Sequence, residues 1–331
     1  MSYPLIILGA GASYDCVQET RSEKGNHFRP PLTQDIFHKN FEDIINKHSE
    51  VKNLASSILS RLKEGENFES ILTSIKNKAE KNQDRLKQLI DFEFYLQELF
   101  KTISKEYGNQ TGSNYRALIQ DINDNFKKAC IVNFNYDLLL DEALEIKTTD
   151  NLDSYIKGYI KIIKVHGSCD WVFSLQDHWE IEDSREFLLQ NPLYLDECRA
   201  RKEPIFRFTS YSKYSKSGMK SCYGPAIAIP LYGKDGFVCP KTHIDVLERS
   251  LADVDKILII GWAANDQHLI DMIKEKTKRP IEITVVAGNK KEIDDIFSKF
   301  PEEDKFLRAA ECYGFSKFMG SKACKTFFGT A

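Results

Sequence analysis

The 331-residue sequence has no apolar run near the about 20 residues that a membrane-spanning helix needs. Its opening, Met1-Ser-Tyr-Pro4, carries no basic cluster, and the apolar stretch behind it is too short for a secretory leader. These absences predict a cytoplasmic protein without a membrane segment. An excess of either charge is also missing: 46 Lys and Arg face 49 Asp and Glu, for a net charge of −3. Such a balance gives no global attraction to nucleic acid or to a membrane surface, and any such contact would have to be local. The eight cysteines (Cys16, Cys130, Cys169, Cys198, Cys222, Cys239, Cys312 and Cys324) never form a C-x-x-C pair. This predicts reduced thiols and no structural zinc.

Common catalytic signatures are missing too. There is no G-x-S-x-G elbow and no H-E-x-x-H. Gly320 to Thr326 echoes a phosphate-binding loop, but Cys324 stands where glycine should precede the lysine, and no strand leads into it. A dinucleotide fingerprint begins at Gly9 and breaks at Tyr14, where its third glycine belongs. The acidic residue expected about 20 positions on is replaced by a polar loop around Arg29 and Pro30.

What is present centres on Leu5 to Ser13. Four apolar residues make a short buried strand, and Gly9, Ala10, Gly11, Ala12 and Ser13 follow at once. Glycines there permit a sharp turn and let a phosphate approach backbone N–H groups. After an irregular stretch, Pro30-Pro31-Leu32 leads into a helix that Thr33 can cap. Residues 41–107 read as helical, with Phe68, Ile71, Leu72 and Ile75 on one apolar face and Leu86, Leu89, Ile90, Phe94 and Leu99 on another. A helix from Tyr115 to Phe126 comes next.

Further strands are predicted at 129–132, 160–165, 226–231, 256–260 and 281–286, with helices at 138–144, 242–251, from about 266, and 291–300. The segment 171–223 shows little periodicity. Short apolar strands alternating with helices predict an α/β fold: a Rossmann-like parallel sheet of about six strands, helices on both faces and an inserted helical module at 41–107. A single domain over 1–331 is expected, with a second, irregular insertion at 171–224. Ligands bind such sheets beyond the carboxyl ends of the strands. The polar punctuation falls at those ends: Gly9 to Ser13, Asn133-Phe-Asn135-Tyr-Asp137, His166-Gly-Ser168, Gly261-Trp262 and Gly288-Asn289.

This set, in this order, resembles the sirtuin family, and more closely its sirtuin-like NADase branch from bacterial antiphage defence. The branch typically shows GAGAS, a P-P-L segment before a helix, (T/N)-x-N-Y-D, H-G-S and G-(Y/W)-x-x-x-D. The resemblance covers roughly residues 1–40 and 129–300. Zinc pairs of the deacylases are missing here, and Leu231 to Val238 matches their peptide clamp poorly. Their G-T-S turn is Gly261-Trp262-Ala263, which removes a hydroxyl contact to phosphate.

The resemblance implies NAD as substrate, and no zinc. It implies Asn135 orienting ribose hydroxyls and the attacking water, His166 as general base, and Asp137 holding the loop or polarising the nicotinamide end. Gly9 to Ser13 would cradle the diphosphate, with Thr33 and Ser168 as further contacts. Gly261, Trp262, Asp266, Gly288 and Asn289 would line the adenosine side. It also implies an NAD-depleting defence effector, set off by a protein partner acting as sensor or by homo-oligomer assembly.

Blander assignments stand beside these. Asn135 and Asp137 can simply cap the helix that follows. His166 can be a buried, hydrogen-bonded histidine, and Cys169 an inert thiol beside it. Arg199, Arg201, Lys202, Arg207, Lys213, Lys216 and Lys220 interleave with Phe206, Phe208, Tyr211 and Tyr214. That pattern suits a solvated loop, a lid, a subunit contact or single-stranded nucleic acid. The alternative functions are an NAD-dependent deacylase or ADP-ribosyltransferase, and a non-catalytic module binding NAD or ADP-ribose.

Overall fold

The computed structural model describes residues 2–17, 20–21, 27–79, 82–108, 112–147, 151–175, 183–195, 205–207, 222–229, 237–301 and 305–330. Strand β1 (Pro4–Leu8) enters helix α1 (Ala10–Cys16) directly, and a short pair, β2 (Thr20–Arg21) with β3 (His27–Phe28), follows. The predicted helical module is α2 (Glu42–Ile45), α3 (Ser49–Lys63), α4 (Phe68–Ala79) and α5 (Gln83–Tyr107). Then come α6 (Asn114–Asn125), β4 (Ala129–Asn133), α7 (Leu139–Ala143), α8 (Ser154–Lys157) and β5 (Ile160–Lys164). Next are β6 (Gly167–Leu175), α9 (Ser184–Gln190), β7 (Ile205–Arg207) and β8 (Cys222–Ile227). The chain continues through α10 (Lys241–Leu251), β9 (Lys256–Ile260), α11 (Gln267–Lys276), β10 (Ile281–Ala287) and α12 (Lys290–Ser298). It closes with β11 (Phe306–Tyr313), α13 (Phe315–Phe318) and α14 (Lys322–Phe328).

Six parallel strands form the main sheet in the order β11-β10-β9-β1-β4-β5. Counted along the chain this is the doubly wound 3-2-1-4-5-6 arrangement, whose direction reverses between β1 and β9. Both strands are apolar on both faces, as a sheet covered by helices on each side requires. One core face gathers Ile6, Leu8, Ile131 and Ile162 with the buried stripes of α3, α4 and α5. The opposite face gathers Leu5, Ile7, Cys130 and Ile163 with α10, α11 and α12.

The predicted faces of the helical module are real: Phe68, Ile71, Leu72 and Ile75 are buried together. One carboxylate binds this module to its surroundings. Asp91 is fully buried on α5 and accepts from His48, from the Arg185 guanidinium on α9, and from two backbone N–H groups at the start of α3. Burial pushes its pKa up, but the bonds from His48 and Arg185 outweigh that and hold it below the usual carboxylate range.

Two sequence expectations need correction. Of the apolar run predicted as a fourth main-sheet strand at 226–231, Ala226 and Ile227 are the end of β8, and 230–231 lie outside the described residues. That strand belongs to a separate antiparallel sheet, β7-β6-β8, which gives strand structure to a stretch predicted as aperiodic. The sixth strand of the main sheet is instead β11, on the edge, where alternate residues are solvated and the apolar signal is weak. Among the described residues no helix is long and apolar enough to cross a membrane, and no group of three His, Cys, Asp or Glu side chains gathers to hold a metal. The basic and aromatic segment 199–220 lies outside the described residues apart from β7.

Candidate active site

The carboxyl ends of β1, β9, β4 and β5 converge on a cleft enclosing about 960 Å³, solvent at its mouth included. Two glycines set its floor. A Cβ on Gly9 would sit 2.4 Å from the Gly261 carbonyl oxygen, and Gly261 itself has φ of +59°, where a Cβ would meet the Ala12 nitrogen at 2.4 Å. The turns after β1 and β9 are therefore pressed backbone to backbone, an approach that only glycine permits. Hydrogen bonds lock the contact: Gly9 N–H donates to Ile260, Gly11 N–H to Gly261 and Ala12 N–H to Gly9. The predicted phosphate cradle is thus narrower than expected, because these three N–H groups are already engaged. Ala10 and Ser13 remain on the cleft wall; Gly11 and Ala12 lie behind it.

Beyond β4 the chain is held by its own polar residues. Asn133 Oδ1 accepts from the Asn135 backbone N–H at 3.0 Å. Asn135 turns away from the following helix and donates from Nδ2 to the Gly9 carbonyl (2.9 Å) and to the Tyr115 hydroxyl (3.1 Å). It is therefore no helix cap. Asp137 stands one residue before Leu138, the N-cap position of α7, and its Oδ1 accepts from the Leu139 N–H at 3.1 Å. Its other oxygen makes no hydrogen bond of good geometry among the described residues. Burial raises the Asp137 pKa above the usual carboxylate value, and the nearby Lys164 ammonium and Ser13 hydroxyl only partly offset this.

His166 follows β5. Its Nε2 lies 3.2 Å from Asp266 Oδ2, while Asp266 Oδ1 caps α11 by accepting from the Leu269 N–H at 3.0 Å. Its ring stands edge-on to Phe134 with centroids 4.7 Å apart, and Phe134 stacks on Trp262 at 5.1 Å. Asp266 and Trp262, expected on the adenosine side, thus form one layer with the histidine. The opposite wall comes from Pro30, Pro31 and Thr33, and from Ile36, Leu96 and Phe100. Glu69 on α4 reaches in from the helical module, and Asn265 donates to it at 3.2 Å across the mouth.

The solved structures this chain resembles are Sir2 homologues. One is a mutant in complex with 2'-O-acetyl ADP-ribose, at 14% identity and a TM-score of 0.44, covering 99% of this chain and 93% of that one. A second is a Sir2 homologue–NAD complex, at 13% and 0.41, covering 99% and 91%. A third is a mutant–ADP-ribose complex, at 13% and 0.45, covering 99% and 92%. Likenesses of this size carry no argument about activity. No protein-family model matches the chain, nor does any curated protein.

The cleft thus collects Gly9, Ala10, Ser13, Thr33, Asn135, Asp137, His166, Gly261, Trp262 and Asp266. Besides Gly11 and Ala12, it does not collect Ser168, Gly288 or Asn289. The Ser168 side chain is fully buried and accepts from Lys164 Nζ at 2.8 Å. That ammonium spends its other protons on the Asp137 carbonyl and on Asp141, so Ser168 serves a buried ionic cluster. Gly288 and Asn289 form the start of α12: Gly288 N–H donates to the Glu292 carboxylate, and Asn289 accepts from the Glu292 N–H. Cys169 is fully buried, and burial pushes its thiol far up, so it is no nucleophile.

Tyr115, Phe134 and Glu69 are the site residues that sequence reasoning missed. A tyrosine and a phenylalanine at apolar positions read as core. The one usable signal nearby was Lys164, a cation set between the apolar residues Ile163 and Val165.

Proposed function

We propose that this protein is an NAD glycohydrolase, converting NAD and water to nicotinamide, ADP-ribose and a proton. The observation that carries the proposal is the meeting of Asn135, His166 and the Gly9 turn in one cleft, although Asn135 and Gly9 stand 126 positions apart. Breaking the bond between ribose C1′ and the pyridinium nitrogen sends the electron pair to nicotinamide, which leaves neutral and needs no general acid. What the reaction needs is stabilisation of an oxocarbenium-like ribose and a directed water.

Asn135 supplies direction. The Gly9 carbonyl can only accept, so the amide nitrogen faces it, and Oδ1 is the group that accepts from a ribose hydroxyl or from the water. His166 takes the proton. Asp266 holds Nε2 as its protonated nitrogen, so Nδ1 is the basic atom, in the manner of a carboxylate-oriented histidine. The apolar wall of Ile36, Leu96 and Phe100 suits the planar leaving group. Ala10 and Ser13 flank the diphosphate.

We read the whole chain as one catalytic unit carrying 41–107 and 171–224 as insertions. The motif set also supports a role in antiphage defence, with activity released by a partner or by self-assembly. In heavy-oxygen water the ADP-ribose formed should carry one label at C1′. Unlabelled ADP-ribosyl product on protein or on another acceptor would instead support transferase or deacylase chemistry.

A further inference from the structure

We propose that Tyr115 is a positioning residue of this site, holding through its hydroxyl the Asn135 amide in the orientation that the Gly9 carbonyl selects. The inference rests on the NAD-cleaving reading for its kinetic arm and on geometry alone for its binding arm. Both protons of Asn135 Nδ2 are committed, one to the Gly9 carbonyl at 2.9 Å and one to the Tyr115 oxygen at 3.1 Å. A carbonyl has no proton to give, so the nitrogen must face Gly9, and a flipped amide would set oxygen against oxygen. The Tyr115 hydroxyl also lies 2.9 Å from Ser13 Oγ, a pair in which either oxygen can donate. A continuous chain of hydrogen bonds thus runs from Asn135 through Tyr115 to Ser13.

Nothing in this chain is free to turn. The Tyr115 side chain is fully buried on α6, and its ring packs on Phe315 at 5.8 Å. Burial raises the phenol well above its ordinary pKa, so the hydroxyl stays protonated. Ser13 lies on α1 and Asn135 beyond β4, so one phenol hydroxyl on a third element ties two separate turns of the cleft together. Without it, one amide proton of Asn135 loses its partner and Oδ1 is held toward the reacting ribose by the Gly9 contact alone.

The test is a double-mutant cycle of Tyr115→Phe and Asn135→Ala, read both in nicotinamide release from NAD and in ADP-ribose affinity by calorimetry. Tyr115→Phe should lower kcat at least about tenfold while KM for NAD stays within about threefold. In the Asn135→Ala background the same substitution should change kcat by less than about twofold, because its effect runs through that amide. ADP-ribose affinity should fall about fivefold in Tyr115→Phe and no further in the double variant. Additive losses, or a Tyr115→Phe protein with wild-type kcat and affinity, would overturn the proposal. If the wild type releases no nicotinamide either alone or with an activating partner, the NAD-cleaving reading fails, and the ADP-ribose cycle still decides the role of Tyr115. Should Tyr115→Phe not fold, Ser13→Ala removes the second hydrogen-bond partner of its hydroxyl and must show the same non-additivity with Asn135→Ala.

Discussion

His166 Nε2 and Asp266 Oδ2 stand 3.2 Å apart, joining the end of β5 to the start of α11. The carboxylate does two jobs, since its other oxygen caps the helix. Substitution separates them. Asp266→Asn keeps an acceptor for the Leu269 N–H but loses the charge that supports an imidazolium, so kcat should fall about 10- to 100-fold with little loss of stability. Asp266→Ala should lose the same activity and, in addition, about 1 kcal/mol of stability with the cap. Equal kcat in Asp266→Asn and wild type would remove Asp266 from the chemistry.

Asp137 predicts a pH effect. Burial raises its pKa in the folded protein above the unfolded value, so the folded state holds the proton more tightly. The stability this contributes is complete below about pH 4, the unfolded carboxylate value, and is lost as pH rises through the raised folded value. Asp137→Asn cannot titrate, so its Tm relative to wild type should climb as pH goes from 4 to 8 and level off once Asp137 is ionised. A Tm difference that is flat across this range would show that the folded carboxyl titrates normally.

Gly261 carries the packing of the two turns. Ala at this position meets both a positive φ and a Cβ 2.4 Å from the Ala12 nitrogen. Strain and displaced backbone together should cost roughly 3 kcal/mol or more, an effect in the range reserved for named backbone or core defects. Denaturant unfolding of Gly261→Ala measures it directly, and a loss below 1 kcal/mol would mean that the turns can separate cheaply.

The parallel sheet was legible where strands are buried on both faces. The stretches 5–8, 129–132 and 257–260 are continuous apolar runs ended by glycine or asparagine, and no other element fits so short a run. Ala226–Leu231 has the same local look, yet which sheet a strand joins is a long-range matter that local pattern does not encode. The edge strand β11 hides because Leu307, Arg308, Ala309 and Glu311 are solvated. At the site, glycines and strand-end polar residues announced themselves through their types. Tyr115 did not, since a tyrosine inside an amphipathic helix looks like core until its hydroxyl finds Ser13 and Asn135. Ser168, Gly288 and Asn289 stand at strand ends as the others do, and only tertiary contacts divert them to Lys164 and Glu292.

The most direct measurement of the central claim is nicotinamide release from NAD by wild type, Asn135→Ala and His166→Ala, compared at matched thermal stability. The account predicts release by wild type, with or without an activating partner, and a loss of about a hundredfold or more in both variants. Release that persists in both variants would contradict the assignment of Asn135 and His166 as the groups that direct and activate the water.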